Sequence, residues 1–476
     1  MDETLPNPSN LLLRFVRLAI ANVLSIIMVP VANLMSVVFL GHLSEVQHLA
    51  GVALAGNVLN VVYFTLSFLR MSTTGVTAQA VGRNDRESML LVALRNGLVG
   101  LVLGLAIMSL QYPIREIAFT LRSAAPEIEA SAIAYFNAQI WCAPAVLLNF
   151  VLIGWLLGSE QNGKVVLISA VGSIANIALD YLFIMRWGWE STGAGISYAT
   201  SQYLTLFVGL IFFCLKIRWQ ELVSVARKFW DISAFKSTFT LNGNIFVSNF
   251  IILLSFAVFH SQSSLMGTIL YAQNALMWQI FILSIFIVEG IGYSTETLGG
   301  NFKGQGVNQE LASLLKISVG SSVLVGLSFA GVSILFPQTV FGLFTNHKEV
   351  IESINIYVPW LLITVGFGSI AFSLHGYFVG LSEGHTLRNA SSIAMLVGFT
   401  PTMFAASQFH SNHLIWLAVS LFLVIQTLVF GIQLPRTLRS DYGETRVSHA
   451  ALKEASGEEV LIEKLEVAQD EKSLAN

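Results

Sequence analysis

Residues 154–158 read GWLLG and residues 376–380 read GYFVG, so one glycine-bounded pattern recurs 222 positions later. A second match has the same offset and consists of Ser72-Thr73 with Gly82 and Ser294-Thr295 with Gly304. Two separate matches at one offset indicate an internal repeat, and internal repeats are typical of transporter folds. The repeat therefore predicts a chain built from two related halves.

Apolar stretches long enough to cross a bilayer surround both motifs. The chain of 476 residues is 54% hydrophobic and only 11% charged, whereas about a quarter of a soluble globular chain is charged. Lipid must therefore solvate much of its surface. The predicted spans are residues 12–40, 47–70, 88–110, 130–157, 164–186, 193–217, 240–262, 267–297, 310–336, 354–380, 390–408 and 413–434. This pattern predicts an all-α integral membrane protein of about twelve transmembrane helices.

Each repeat contains an even number of spans, so the two halves have the same orientation and form a parallel repeat. We predict an N-terminal six-helix lobe over residues 1–217, a cytoplasmic linker over 218–238 and a C-terminal six-helix lobe over 239–435. Residues 436–476 are polar and acidic and form a predicted cytoplasmic tail, either as a short amphipathic helix or as solvated disorder. Two pseudo-symmetric lobes with a cleft between them are a transporter architecture.

Lys and Arg residues set the predicted orientation. With the N-terminus inside, most of them, Arg70 included, fall on the cytoplasmic side, and the opposite side receives only Arg115, Arg122, Arg186 and Lys348. The positive-inside rule then places both termini in the cytoplasm.

Ionisable residues inside membrane spans are costly, and each is therefore a functional candidate. Asp180 lies in the fifth span, and Asn176 precedes it by one turn on the same helix face. A carboxylate beside a neutral amide can hold a proton or a sodium ion, and burial favours the protonated form of a carboxyl group. We favour this coupling role over the alternative, a buried acid that only fixes the packing of a neighbouring helix.

Glu289 and Glu296 lie seven residues apart, close to one face of the eighth span. For Glu289, the deeper of the two, a coupling or substrate role competes with a packing role. Glu296 approaches the cytoplasmic end, where a lobe-closing ion pair or a solvated helix terminus would explain it. The repeat offset places Thr402 opposite Asp180 and Thr74 opposite Glu296, so each lobe carries acids that the other lacks.

Other polar positions could line a wet cavity or form a gate. Pro30 frees a backbone carbonyl in the first span and allows bending, as a gate needs. We group Asn33, Ser36, Asn149 and Glu296 as candidate substrate-cavity residues. Ordinary polar packing between helices is the alternative explanation for these positions.

Several function classes lack their motifs in this sequence. It contains no Walker glycine loop, no Gly-x-Ser-x-Gly, no His-Glu-x-x-His and no cysteine metal cluster. Cys142 and Cys214 lie in apolar runs, and no basic patch suggests a nucleic-acid partner. We therefore expect no enzyme activity, no metal site and no cofactor other than a proton or sodium ion used for coupling.

The stretch LRMSTTGVTAQAVG at residues 69–82 closely resembles the second-helix segment of the multidrug and toxic compound extrusion (MATE) family, in its DinF-like branch. Further segments look like those of the family and occur in the same order: Gly41-His42-Leu43, Ala143-Pro144-Ala145 leading into GWLLG, Asn176 to Asp180, and Gly193-Ala194-Gly195. The resemblance covers the N-terminal lobe well and the C-terminal lobe more loosely.

The resemblance implies two six-helix bundles around a V-shaped cavity, and export of cationic or amphipathic compounds in exchange for protons or sodium. It implies that Asn176 and Asp180 form the cation site and that Glu289 matches an acid of the DinF-like eighth helix. The family usually has an aspartate in the first helix, where this chain has Met35-Ser36-Val37. Because Ser36 cannot replace that charge, coupling is expected to depend on Asp180, helped by Glu289, or to differ from the family pattern.

The leading interpretation is a monomeric secondary active efflux antiporter in the plasma (inner) membrane, working on a small cationic or amphipathic molecule by alternating access. The alternative is a flippase for lipids or lipid-linked saccharides. Such flippases usually place several Arg or Lys residues in the cavity, and the predicted spans contain almost none. The repeat and the missing catalytic motifs count against a third interpretation, a non-transporting receptor or enzyme.

Overall fold

The computed structural model describes residues 8–120, 125–217 and 219–438. Residues Met1–Ile432 form one compact unit, and Gln433–Asn476 form a second, of which only the end of one helix is described. From residue 439 onward, the predicted tail lies outside the described residues, as does Arg122.

Twelve helical spans in the described chain are long and apolar enough to cross a membrane. They are α1 (Asn10–Gly41), α2 (Val46–Gly82), α3 (Arg86–Ser109), α4 (Pro126–Gly158), α5 (Asn162–Arg186), α6 (Glu190–Lys216), α7 (Ile232–Leu265), α8 (Thr268–Gln305), α9 (Asn308–Leu335), α10 (Trp360–Gly380), α11 (Gly384–Phe409) and α12 (Asn412–Leu438).

Several spans are interrupted rather than continuous. α2 is interrupted at Ser67, α4 by the tight turn Ile140–Cys142, and α11 by the wide π turn Ala394–Phe399. In α5 the wide π turn Tyr181–Arg186 follows Asp180 directly. Such wide turns disturb the helical hydrogen-bond ladder and frequently occur at functional sites.

Short helices connect some of the spans. They cover Gln111–Thr120, Trp219–Phe229, Pro337–Gly342 and Lys348–Ile354. The helix Trp219–Phe229 lies within the predicted linker of residues 218–238, and α7 begins at Ile232. The described connection between α6 and α7 is therefore largely helical, and the division of the chain at residues 217 and 239 stays a prediction.

The pseudo-symmetry predicted from the offset of 222 residues is confirmed by the backbone. Residues with positive φ occur at equivalent positions of the two halves, in the pairs Asn84 and Gly306, Glu160 and Ser382, and Gly188 and His410. Positive φ is uncommon for residues other than glycine. Three pairs at one offset therefore show that the two halves share their turns as well as their helices.

The repeated glycine motif allows close helix packing within each lobe. A Cβ atom on Gly154 would overlap the carbonyl oxygen of Arg70 in α2, and one on Gly376 would overlap the carbonyl oxygen of Gly292 in α8. The second glycine of each motif makes the same approach one turn further along. Membrane helices approach closely where such small residues meet, and so α4 packs on α2 and α10 packs on α8.

Each lobe is built by its own set of helix contacts. In the N-terminal lobe α1 and α6 pack against α5, and α4 packs against α2, α3 and α6. In the C-terminal lobe α9 and α10 pack against α8 and against each other, and α7 packs against α11. The Ser420 and Thr364 hydroxyl groups, 2.9 Å apart, join α12 to α10. The two lobes meet where α8 packs against α1 and the second half of α2.

Two predicted spans are too short. The predicted second span ends at residue 70 and the predicted eighth at 297, whereas α2 continues to Gly82 and α8 to Gln305. The additional turns contain small polar residues that are at most 2% exposed, among them Ser72, Thr73 and Thr74. Hydropathy underrates such turns, because their side chains face other helices and their hydroxyl groups bond to carbonyl oxygens of the preceding turn.

The outer faces of the helices carry large apolar side chains. Examples that are 61% to 71% exposed are Leu34, Ile174, Leu324 and Leu396. Contiguous exposed apolar surface on this scale is unstable in water. Lipid covers it in the native setting.

Candidate functional site

Asp180 is the centre of a hydrogen-bonded cluster formed by α1, α5 and α6. Its carboxylate is fully buried and accepts hydrogen bonds from the hydroxyl groups of Ser36 and Ser197. The Asn176 amide donates to the same carboxylate at 3.3 Å. Within the described chain its hydrogen-bond partners are thus all neutral. Buried charges are normally paired, so a carboxylate in this setting is suited to taking up a proton or a cation.

A cavity of about 180 Å³ lies beside this cluster, between α1, α2, α4, α5 and α6. Ser36, Asn176 and Asn33 form part of its wall together with Tyr135 and Tyr198. Asn33 is exposed, so the cavity reaches the surface of the described chain. The Asp180 carboxylate lies directly behind Ser36 and Asn176, which connect it to the cavity. The structure therefore brings four of the predicted residues together.

Two further predicted residues lie apart from this cluster. α1 continues as one helix through Pro30. Because proline has no N–H group, the Ile26 carbonyl oxygen lacks its helical hydrogen bond. Asn149 donates its amide to the backbone oxygen of Gln202 at 3.0 Å and so joins α4 to α6. This contact corresponds to the packing alternative considered for Asn149.

Glu289 and Glu296 belong to a second cluster, which lies between the lobes. Arg70 Nη1 is 3.4 Å from Glu296 Oε2, and this buried ion pair joins α2 of one lobe to α8 of the other. The guanidinium group stacks on the Tyr293 ring at 3.8 Å from its centroid. The Tyr293 hydroxyl donates to Glu289 at 2.8 Å. The geometry matches the lobe-closing ion pair considered for Glu296, with Arg70 as its partner.

Arg70 and Ser197 are absent from the predicted site residues, although both had a signal in the sequence. Arg70 is the second residue of the LRMSTTG stretch, but the predicted span ends there and assigns it to the cytoplasmic surface. Ser197 follows the small residues Gly193 to Gly195. A Cβ atom on Gly195 would lie 2.7 Å from the Tyr135 carbonyl oxygen, so this stretch marks a close approach of α6 to α4.

The Arg70–Glu296 pair predicts a double-mutant cycle with strong coupling. Removal of one partner leaves the other charge buried and unpaired, so Arg70→Gln and Glu296→Gln are each expected to destabilise the protein by about 3–5 kcal/mol. The double variant is expected to lose less than the sum, because neither charge remains. Unfolding of the detergent-purified protein measures the cycle, and strictly additive losses would contradict a direct interaction.

The lobes are also joined by two equivalent hydrogen-bonded contacts at one end of the helix bundle. Asn301 of α8 donates its amide to Glu160 of the N-terminal lobe, and Arg14 Nε donates to the same carboxylate at 3.0 Å. At the position 222 residues earlier, Gln79 of α2 donates to the Ser382 hydroxyl of the C-terminal lobe at 2.9 Å. We call this end, where Gly82 and Gly304 also lie, the closed end.

Glycine makes this closure possible. A Cβ atom on Gly82 would overlap the carbonyl oxygen of Asn301, and one on Gly304 would overlap the carbonyl oxygen of Gln79. These positions are equivalent under the repeat. The closed end is therefore a pseudo-symmetric contact between backbones, reinforced by two side-chain hydrogen bonds. The Asp180 cavity lies in the opposite half of the N-terminal lobe, towards the loop that joins α1 to α2.

Comparison with known proteins identifies the family. The model of the MatE family matches residues 22–182 and again residues 245–404, which together exceed half of the chain. The chain belongs to the MatE family. The two matched segments lie one in each half, as the repeat predicts.

Curated relatives from this family agree with the sequence resemblance. The DNA damage-inducible protein F of Escherichia coli K12 is 28% identical over 415 residues, covering 86% of this chain and 89% of the relative. A probable multidrug resistance protein NorM of Thermotoga maritima is 23% identical over 356 residues, covering 73% and 75%. The resemblance to the MATE family and its DinF-like branch is confirmed.

Solved structures from MATE relatives share the fold. An outward-facing multidrug resistance MATE family transporter of the MOP superfamily has a TM-score of 0.80 at 20% identity, covering 92% of this chain and 99% of that one. A MOP superfamily transporter from Pyrococcus furiosus also has a TM-score of 0.80, at 19% identity, covering 90% and 96%. Together with the twelve spans, MatE membership makes this chain an integral multi-pass membrane transporter rather than an enzyme.

Proposed function

We propose that this MatE protein is a secondary active antiporter that exports cationic or amphipathic small molecules in exchange for protons or sodium ions. The observation that carries the proposal is the buried Asp180 carboxylate, whose hydrogen-bond partners in the described chain are all neutral. The Thermotoga relative, described as a probable multidrug resistance protein, supports the substrate class.

Ion binding at Asp180 would drive the exchange through a difference in affinity between two states. A proton or sodium ion removes the cost of an unpaired buried charge. Because Ser36 is on α1 and Ser197 is on α6, a change of charge at Asp180 alters the contacts among three helices. A ligand shifts a conformational equilibrium only by its differential affinity for the two states. Hydration of Asp180 in one state and dehydration in the other would supply that difference.

We place the closed end and both termini in the cytoplasm. The basic residues Arg14, Arg83, Lys164 and Lys303 are in the terminal turns or connecting turns at this end, which supports this orientation under the positive-inside rule. The structure then corresponds to an outward-facing state in the plasma membrane. Inward opening requires the Glu160–Asn301 and Gln79–Ser382 contacts and the Arg70–Glu296 pair to separate. A monomer remains the expected assembly.

The flippase alternative is disfavoured by the charge of the interlobe cluster. An anionic lipid-linked substrate would need an excess of cationic groups in the cleft. Arg70 is the arginine that lines the interlobe cavity, and it is paired with Glu296, with Glu289 close by. The cluster has no positive surplus.

Transport by the purified protein in liposomes tests the proposal. We expect an imposed proton or sodium gradient to drive accumulation of a cationic dye, and only the coupling ion should do so. Liposomes without protein and collapse of the gradient by an ionophore are the controls. Scrambling of a fluorescent lipid without gradient-dependent dye transport would contradict antiport and favour the flippase.

A further inference from the structure

The interlobe cavity contains three buried polar atoms that have no hydrogen-bond partner among the described residues. They are Nη2 of Arg70, Oε1 of Glu296 and Nε2 of His375. The three side chains are 6%, 1% and 9% exposed, and all of them line one cavity of about 110 Å³. The neighbouring Thr74 hydroxyl donates to the Arg70 carbonyl oxygen instead. Unpaired buried polar atoms are costly and rarely occur together, so this cavity is built to receive a polar group.

The remaining wall of the cavity is apolar. Phe64, Phe256, Phe286 and Phe372 line it around the three polar side chains. Sites for small molecules combine apolar walls with a few polar groups that fix the orientation of the ligand. Drug-sized ligands fill roughly 300–1,000 Å³, so in this state the cavity accommodates only the polar end of such a molecule.

The charges at the floor of the cavity disfavour a simple ion. A bare cation would lie against the Arg70 guanidinium group, and a bare anion would lie against Glu296 and Glu289. A quaternary ammonium group has neither a hydrogen-bond donor nor an acceptor, so it would leave all three polar atoms unpaired. A neutral group that both accepts and donates avoids both penalties.

We propose that this cavity binds the headgroup of the transported molecule and prefers a neutral headgroup with adjacent acceptor and donor atoms, as in a primary carboxamide. The carbonyl oxygen of the ligand accepts from Arg70 Nη2, and one of its N–H groups donates to Glu296 Oε1. Its second N–H group, or its carbonyl oxygen, pairs with His375 Nε2 according to the tautomer of the ring. The inference rests on the proposed function, because it specifies the substrate class of the same cleft.

Three ligands with one naphthylmethyl body and different headgroups test the proposal. They carry a primary carboxamide, an N,N-dimethylcarboxamide or a trimethylammonium group, and calorimetry measures their binding to the full chain in lipid nanodiscs. Because each unpaired buried atom weakens binding, we expect the primary amide to bind about 10-fold more tightly than either of the others. Equal or tighter binding of the trimethylammonium ligand, or binding of none of the three, would overturn the proposal.

A matched pair of histidine variants locates the binding site. His375→Phe removes the unpaired nitrogen and is expected to weaken binding of the primary amide about 5-fold. His260→Phe in α7, which packs against Trp278 outside the lining of this cavity, is expected to leave binding unchanged. Equal effects of the two variants would overturn the assignment. If His375→Phe does not fold, the ligand series on the unmodified protein still decides.

Dye transport in the same preparation separates this inference from the proposed function. Persistence of ion-driven dye efflux with the wrong order of ligand affinities would remove the headgroup assignment and leave the antiporter. Loss of gradient-dependent transport with the expected order of affinities would remove the antiporter and leave the binding site.

Discussion

Asp180→Asn is expected to abolish ion-driven efflux while leaving the protein folded and inserted. The amide keeps the shape of the carboxylate and can still bond Ser36 and Ser197, but it can neither lose a proton nor neutralise a cation. Coupling free energies are typically about 1–3 kcal/mol, which is about 5- to 150-fold. We expect a loss of gradient-driven dye efflux near the upper end of this range, measured in liposomes as the initial rate with and without the gradient.

The same variant is expected to retain exchange of substrate for substrate. Such counterflow needs the lobes to rearrange but does not need a coupling ion. Glu127→Gln is the matched control, since it removes an exposed carboxylate at the start of α4, and we expect it to transport like the unmodified protein. Gradient-driven efflux at the normal rate by Asp180→Asn would remove this residue from the mechanism.

Gly82→Ala is expected to prevent full closure of the lobes at the closed end. The added Cβ atom would overlap the Asn301 carbonyl oxygen, and a backbone atom of a packed helix cannot turn aside as a side chain can. Overpacking costs about 1–3 kcal/mol, which corresponds to an about 5- to 150-fold shift towards states separated at this end. Gly304→Ala, at the equivalent position, is expected to have the same effect.

Labelling of an introduced cysteine measures this shift. Thr297→Cys places a thiol at a fully buried position of the interface, where the threonine hydroxyl donates to the Leu157 carbonyl oxygen. After replacement of Cys142 and Cys214, a water-soluble maleimide should label it faster in Gly82→Ala. Gly97→Ala is the control, because a Cβ atom at Gly97 meets open space. Equal labelling rates in the two variants would show that Gly82 does not limit closure.

The fold was largely predictable because the solvent restricts the choices. A lipid-embedded chain must satisfy its backbone internally, so long apolar stretches become helices. The sequence offset of 222 residues also predicted the pairing of turns such as Asn84 with Gly306. The ends of α2 and α8 were not predictable, since hydropathy cannot distinguish a polar residue facing water from one facing another helix.

The candidate site was predictable only in part. Asp180 and Asn176 share one helix face, so their proximity follows from helical spacing alone. The contribution of Ser197 depends on how α6 packs against α5, which no local pattern encodes. The sequence also suggested that Glu296 could close the lobes, but it did not identify Arg70 as the partner, because that contact joins residues 226 positions apart.

By itself, the sequence determined that this chain crosses a membrane many times, that it is a duplicated structure and that it places an acid in its fifth span. Composition and periodicity act through the solvent and the local helix, so they can be seen without the fold. Only the tertiary structure decided which groups surround each acid. Asp180 is surrounded by neutral hydroxyl and amide groups, whereas Glu296 faces a guanidinium group from the other lobe. Electrostatic interactions depend on distance in space and on burial, and neither is fixed until the helices pack.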